Sequence, residues 1–95
     1  MRRVREYIIP CADRFCLRLR QHASFLHVAL QGFNPCFYFV ECDEYDYETR
    51  GFICVDNDCD LDRFSFDSVY LGSVVLSDGS FVKHFFEAKK KGVEA

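Results

Sequence analysis

The stretch "SVYLGSVVLSDGSFVKHFFE", Ser68 to Glu87, holds two apolar-rich runs on either side of Ser77-Asp78-Gly79-Ser80. The first run is rich in Val and the second in Phe, residues that pack well on a pleated surface. Asp78-Gly79 supplies the positive φ angles of a type I′ turn, whose twist suits two antiparallel strands. The stretch therefore predicts a β-hairpin. No segment elsewhere sustains a period of 3.6, so the rest of the chain is read against the two-residue period of a strand.

Working outward, the same pattern recurs. "DRFCLRLR" (13–20) sets Phe15, Leu17 and Leu19 on one face and Arg14, Cys16, Arg18 and Arg20 on the other, a half-buried strand with an arginine outer face. "SFLHVALQ" (24–31) offers Leu26, Val28 and Leu30 against Phe25, His27, Ala29 and Gln31. "GFNP" (32–35) interrupts with turn residues. "CFYFVEC" (36–42) is apolar on both faces and reads as a central strand. "DEYDYET" (43–49) reads as a loop and "RGFICV" (50–55) as a strand. "REYIIP" (5–10) makes a first strand closed by Pro10, whose missing N–H suits a strand end or edge. A helical turn around Asp60 to Phe66 has no support in the pattern. The result is one domain, residues 1–95, of about seven short antiparallel strands: an all-β sandwich or barrel. Residues 88–95, "AKKKGVEA", read as a frayed tail.

An apolar fraction of 49% with eleven Phe can build a core, which argues against disorder. The longest apolar runs are four or five residues, too short to cross a bilayer. "MRRVREYIIPC" has the charges of a signal peptide without its apolar stretch, so a cytoplasmic protein with no membrane partner is expected. In that compartment the six cysteines read as free thiols. A disulfide framework comes second. Zinc at Cys11-x4-Cys16 and Cys54-x4-Cys59 comes third, its spacing loose and its turn glycines missing. No cofactor is expected.

Charge is segregated. Residues 1–20 hold six Arg against Glu6 and Asp13, and residues 41–62 hold nine acids against Arg50. The acids fall in two groups with two tyrosines: Glu41, Asp43, Glu44, Tyr45, Asp46, Tyr47 and Glu48, then Asp56, Asp58, Asp60 and Asp62. Both groups are candidate partner-binding surface, since acids attract basic proteins and repel nucleic acid, and tyrosine adds area at low entropy cost. The solvated-loop reading of each is at least as simple. If extended, 56–62 would align all four aspartates on one side. A helix–loop–helix calcium site fits Asp56, Asp58 and Asp60, but Leu61 stands where glycine is needed and Asp67 where glutamate is. These three remain weak cation candidates. Arg14, Arg18 and Arg20 form an alternative basic surface for phosphates, a neighbouring acidic strand or a second copy. A homodimer is a further expectation, because opposite charges at opposite ends favour self-pairing. Glycine-rich phosphate loops, His-Glu-x-x-His and Gly-x-Ser-x-Gly are all missing, so the sequence reads as non-enzymatic with no catalytic residues.

Three pieces in order, "EYIIPCADRFCLRLRQHASFLHVALQGFNPCFYFVECD", "ETRGF" and "VYLGSVVLSDGSFVKHFFE", carry Pro35-Cys36-Phe37, Glu48-Thr49-Arg50-x-Phe52 and His84-x-Phe86-Glu87. In that ordered set the chain resembles a family of short phage and prophage proteins of unknown function. It departs from them in "RQHAS" for Pro-Gly-Ala, in Tyr38 for Trp, and in the aspartate loop where they carry a short Gly- and His-containing turn. The resemblance implies a phage origin and work in the bacterial cytoplasm. It transfers no catalytic residue. The expected function is an accessory protein binding a host protein or defence component through its acidic surface. The alternatives are a ligand- or divalent-cation-binding module and a minor virion or structural protein.

Overall fold

A computed structural model describes residues 1–63, 67–76, 79 and 81–89. Among these residues seven antiparallel strands form two sheets: β1 (Arg2–Ile8), β2 (Arg14–Arg20), β3 (Ser24–Gln31), β4 (Asn34–Cys42), β5 (Tyr47–Asp56), β6 (Asp67–Leu76) and β7 (Phe81–Lys89). A single 3-10 turn covers Leu61–Arg63. The orders are β1-β4-β3 and β2-β5-β7-β6. The sheets face each other with β3 over β6 and β2 over β4. Two open sheets make a sandwich and exclude the closed barrel.

The β6–β7 hairpin forms, pairing Leu76 with Phe81 through to Asp67 with Lys89. Of its turn, Gly79 has φ +96°, and Asp78 lies outside the described residues. The strand reaches Lys89, so Ala88 and Lys89 belong to the sheet and not to a frayed tail. Residues 90–95 of that tail lie outside the described residues. β1 begins at Arg2 and β5 at Tyr47, each three residues earlier than the apolar pattern alone indicates. In both cases backbone pairing with a neighbour extends the strand through polar side chains.

Phe37, Phe39, Phe52 and Phe85, with Phe15 and Phe25 packed against them, make an aromatic core. Phe37 sits at its centre, with ring centroids 5.6 Å from Phe25, 5.2 Å from Phe52 and 5.4 Å from Phe85. Leu19, Val28, Phe39 and Val74 complete it. β3 reaches this core out of phase with simple alternation. A bulge between Phe25 and His27 lets Phe25 and Val28 both face inward, while Leu26 and Leu30 are exposed. A second bulge, between Tyr70 and Gly72, lies where β6 meets β3. Gly72 has φ +151°, and a Cβ there would lie 2.7 Å from Val28 Cγ1. Only glycine fits both the backbone and the space.

Two buried carboxylates lie within the sandwich. Glu87 on β7 takes a two-pronged ion pair from Arg50 on β5, at 2.6 and 2.7 Å. The same guanidinium donates to the Ala23 carbonyl at 2.8 Å and lies 5.3 Å from the centre of the Phe39 ring. Its hydrogen bonds to Glu87 push the Arg50 pKa up. Glu41 on β4, 2% exposed, accepts from the Tyr7 hydroxyl and from the Arg20 backbone N–H at 3.3 Å. Burial, then the bond to Glu41, pushes the Tyr7 phenol up.

Candidate functional site

The aspartate loop begins as β5 ends. Asp56 pairs with Lys83 at 2.5 Å, across the β5–β7 register. The chain then turns: the Cys59 N–H donates to the Asp56 carbonyl at 3.4 Å, and Asp58 takes φ +66°, a left-handed conformation that aspartate tolerates. Asp60 Oδ1 accepts from the Asp62 N–H at 2.9 Å, leading into the 3-10 turn. The loop is therefore bent, and the alternation that would align four aspartates does not apply. All four are exposed. Among the described residues no three His, Cys, Asp or Glu converge as metal ligands. Asp56, Asp58 and Asp60 are thus near in sequence without sharing a cation position, and Asp56 is occupied by Lys83.

The loop closes over the outer face of the four-stranded sheet. Across that face Val55 lies opposite His84, and Tyr70 opposite Phe86. Between loop and sheet is a pocket of about 260 Å³, floored by Val55, Tyr70, His84 and Phe86, with Asp56, Asp58 and Leu61 on its rim. The Tyr70 and Phe86 rings lie 5.3 Å apart at 59°. His84 holds the assembly together. Its Nε2 is 2.6 Å from Asn57 Oδ1, and its Nδ1 is 2.5 Å from Ser73 Oγ, which is in turn 2.5 Å from the Tyr70 hydroxyl. A carbonyl oxygen only accepts, so Nε2 carries the proton. Nδ1 then accepts from Ser73, and Ser73 accepts from Tyr70. The chain of bonds clamps the loop, through Asn57, to β7 and β6.

The order Ser–His–Asn is also that of nucleophile, base and orienting group. Two features favour the clamp. Tyr70 donates to the oxygen that would attack, drawing off its electron density. Ser73 is also not among the residues lining the pocket.

The other acidic segment is a different kind of place. Tyr47 and Asp56 are the first and last of the ten residues of β5, about 30 Å apart at ~3.3 Å per residue. The two segments therefore lie at opposite ends of β5 and make no single surface. In 41–48 part of the charge is answered internally. Glu41 is buried, and Asp43 pairs with Arg3 at 2.7 Å. Arg20 donates to the Tyr45 carbonyl at 2.8 Å and lies 4.1 Å from the centre of the Tyr47 ring, with Arg18 at 5.5 Å. Tyr45 packs edge-on against His22. Glu44 and Asp46 remain exposed, and Glu48 is half-buried.

The basic surface meets this segment from the other side. Arg14, Arg18 and Arg20 do share the outer face of β2, opposite Ile53, Thr49 and Tyr47. Arg18 and Arg20 are committed to Tyr47. All six cysteines are free thiols, with Cys36 buried and Cys11 and Cys16 exposed.

The sequence marks His84 as a packed, hydrogen-bonded strand histidine, as found, but does not bring it together with Asn57, Ser73 and Tyr70. A signal was present. His84 and Phe86 alternate with Phe85 and Glu87, and β5 carries apolar Ile53 and Val55 on the face that matches them. A sheet apolar on both faces must be covered on its outer face too, and the aspartate loop is the segment that follows. No curated protein and no solved structure matches the chain. Its whole length, residues 1–95, matches one family, a domain of unknown function, and the chain belongs to that family, DUF7352.

Proposed function

We propose that this chain is a non-enzymatic binding protein whose aspartate loop, with the pocket beneath it, is the contact surface for a macromolecule bearing basic side chains. One observation carries this reading. Asp58, Asp60 and Asp62 stand exposed beside an aromatic floor that Asp56 and Asp58 rim, whereas in 41–48 Glu41 is buried and Asp43 is paired with Arg3. An acidic rim over Tyr70 and Phe86 suits a lysine or arginine, which gains from both carboxylate and ring face. The ordered motifs support a phage origin, and with it work in the bacterial cytoplasm on a host protein or defence component.

The test is capture from bacterial lysate with wild-type protein and with Asp58→Asn/Asp60→Asn/Asp62→Asn, both confirmed folded. The reading expects a partner retained by wild type and lost by the variant. It also expects release as salt shrinks the Debye length from ~10 Å at 0.1 M toward ~3 Å at 1 M. Equal capture by both proteins would contradict it.

A further inference from the structure

At the end of the sandwich where β5 finishes, the two sheets part around a second cleft of about 300 Å³. Ile9 and Pro10 from the β1–β2 connection, Pro35, Cys54, Leu76 and Phe85 line it. Beside it stands the two-residue turn between β3 and β4. Gly32 has φ +65°, the positive angle that a type II′ turn needs at its first central position. The second central residue is Phe33, a place where hairpins usually carry a small polar side chain. Phe33 is 92% exposed, Ile8 65%, and Phe81, the cross-strand partner of Leu76, 60%. The tight turn keeps the Phe33 ring in water at the lip of an apolar cleft.

We propose that this end of the sandwich is a self-complementary interface, in which Phe33 of one copy enters the cleft of a second copy about a two-fold axis. A two-fold contact requires one patch to supply both the protrusion and the hole that receives it. Here both lie side by side. Phe33 and Phe81 together expose roughly 200–400 Å² of apolar surface, taking about 150–250 Å² per ring. Ile8 and Pro10 bring each copy toward the ~800 Å² of a standard interface. That places the contact at the small end, where dimers are concentration-dependent. Of the two charges that line the cleft, Lys83 is paired with Asp56 and Asp13 stands exposed, while the surfaces that meet are the apolar Phe33, Phe81, Ile8 and Pro10, so the contact is insensitive to screening. The aspartate pocket opens on the outer face of the four-stranded sheet, and none of its lining residues lines this cleft. The interface therefore stands or falls apart from the partner-binding reading.

Sedimentation velocity across a wide concentration range, at moderate and high salt, tests this with wild type, Phe33→Ser and Phe81→Ser. Wild type should pass from monomer to dimer as concentration rises, with high salt leaving the transition in place. Phe33→Ser should stay monomeric with an unchanged melting temperature, and Phe81→Ser should need several-fold higher concentration. A wild type that stays monomeric throughout overturns the proposal. So does a Phe33→Ser protein that dimerises like wild type, or a dimer dispersed by salt.

Discussion

At the scale of single residues, the two motif pieces Glu48-Thr49-Arg50-x-Phe52 and His84-x-Phe86-Glu87 acquire a shared physical meaning. Arg50 of one and Glu87 of the other form the ion pair inside the sandwich, with side chains only 17% and 10% exposed. Breaking such a pair strands a buried charge. Glu87→Gln should therefore lower stability by about 3–5 kcal/mol in urea unfolding. The double variant Arg50→Met/Glu87→Leu should recover most of that loss, because neither charge is left behind. Tyr7→Phe removes a donor from buried Glu41 and should cost about 1–3 kcal/mol. The residue types of both pairs stand plainly in the sequence. Their meeting does not, because it depends on which strands are neighbours, and strand order is not encoded in spacing.

At the scale of elements, the strand character of β2 and β3 follows from alternation, because each has one face on a shared core, that of β4 from a run apolar on both faces, and the hairpin from its Asp-Gly turn. The exceptions are physical and local. The β3 bulge shifts the phase by one residue, so the core-facing residue is Phe25 rather than Leu26. Gly72→Ala should be destabilising by about 1–3 kcal/mol, since it adds a Cβ into Val28 at a strained φ. Thermal melting of the variant checks this. The aspartate loop was legible as a loop, but its bend and its clamp were not, because they depend on His84 from a distant strand. His84→Ala should leave the melting temperature within a few degrees of wild type. It should also speed amide hydrogen exchange across Asp56–Asp62, which loses its tie through Asn57.

At the scale of the whole molecule, segregated charge along the chain becomes neutralisation across the fold. Arg3, Arg18 and Arg20 return to the 41–48 segment, and Lys83 to Asp56, so linear charge overstates the acidic surface. Folding also raises several groups that ordinarily lose protons in base. Burial pushes up the Cys36 and Cys54 thiols, ordinarily 9.0, and burial with Glu41 raises the Tyr7 phenol, ordinarily 10.0. Asp56 raises Lys83, ordinarily 10.5. Each keeps its proton in the folded chain at a pH where the unfolded chain has lost it. Their contribution is full below about pH 9 and declines as pH rises further. Chemical unfolding at stepped pH should show that decline, and in Tyr7→Phe the part that sets in near pH 10 should be smaller, with the Tyr38 phenol, raised by its bond to Glu6, still contributing.

The central claim is that the loop at 56–62, and not the segment at 41–48, faces a partner. Its most direct test is parallel capture with three folded proteins: wild type, Asp58→Asn/Asp60→Asn/Asp62→Asn, and Asp43→Asn/Glu44→Gln/Asp46→Asn. The account predicts that the loop variant loses the wild-type partner and the 41–48 variant keeps it. Loss by the 41–48 variant with retention by the loop variant would contradict it.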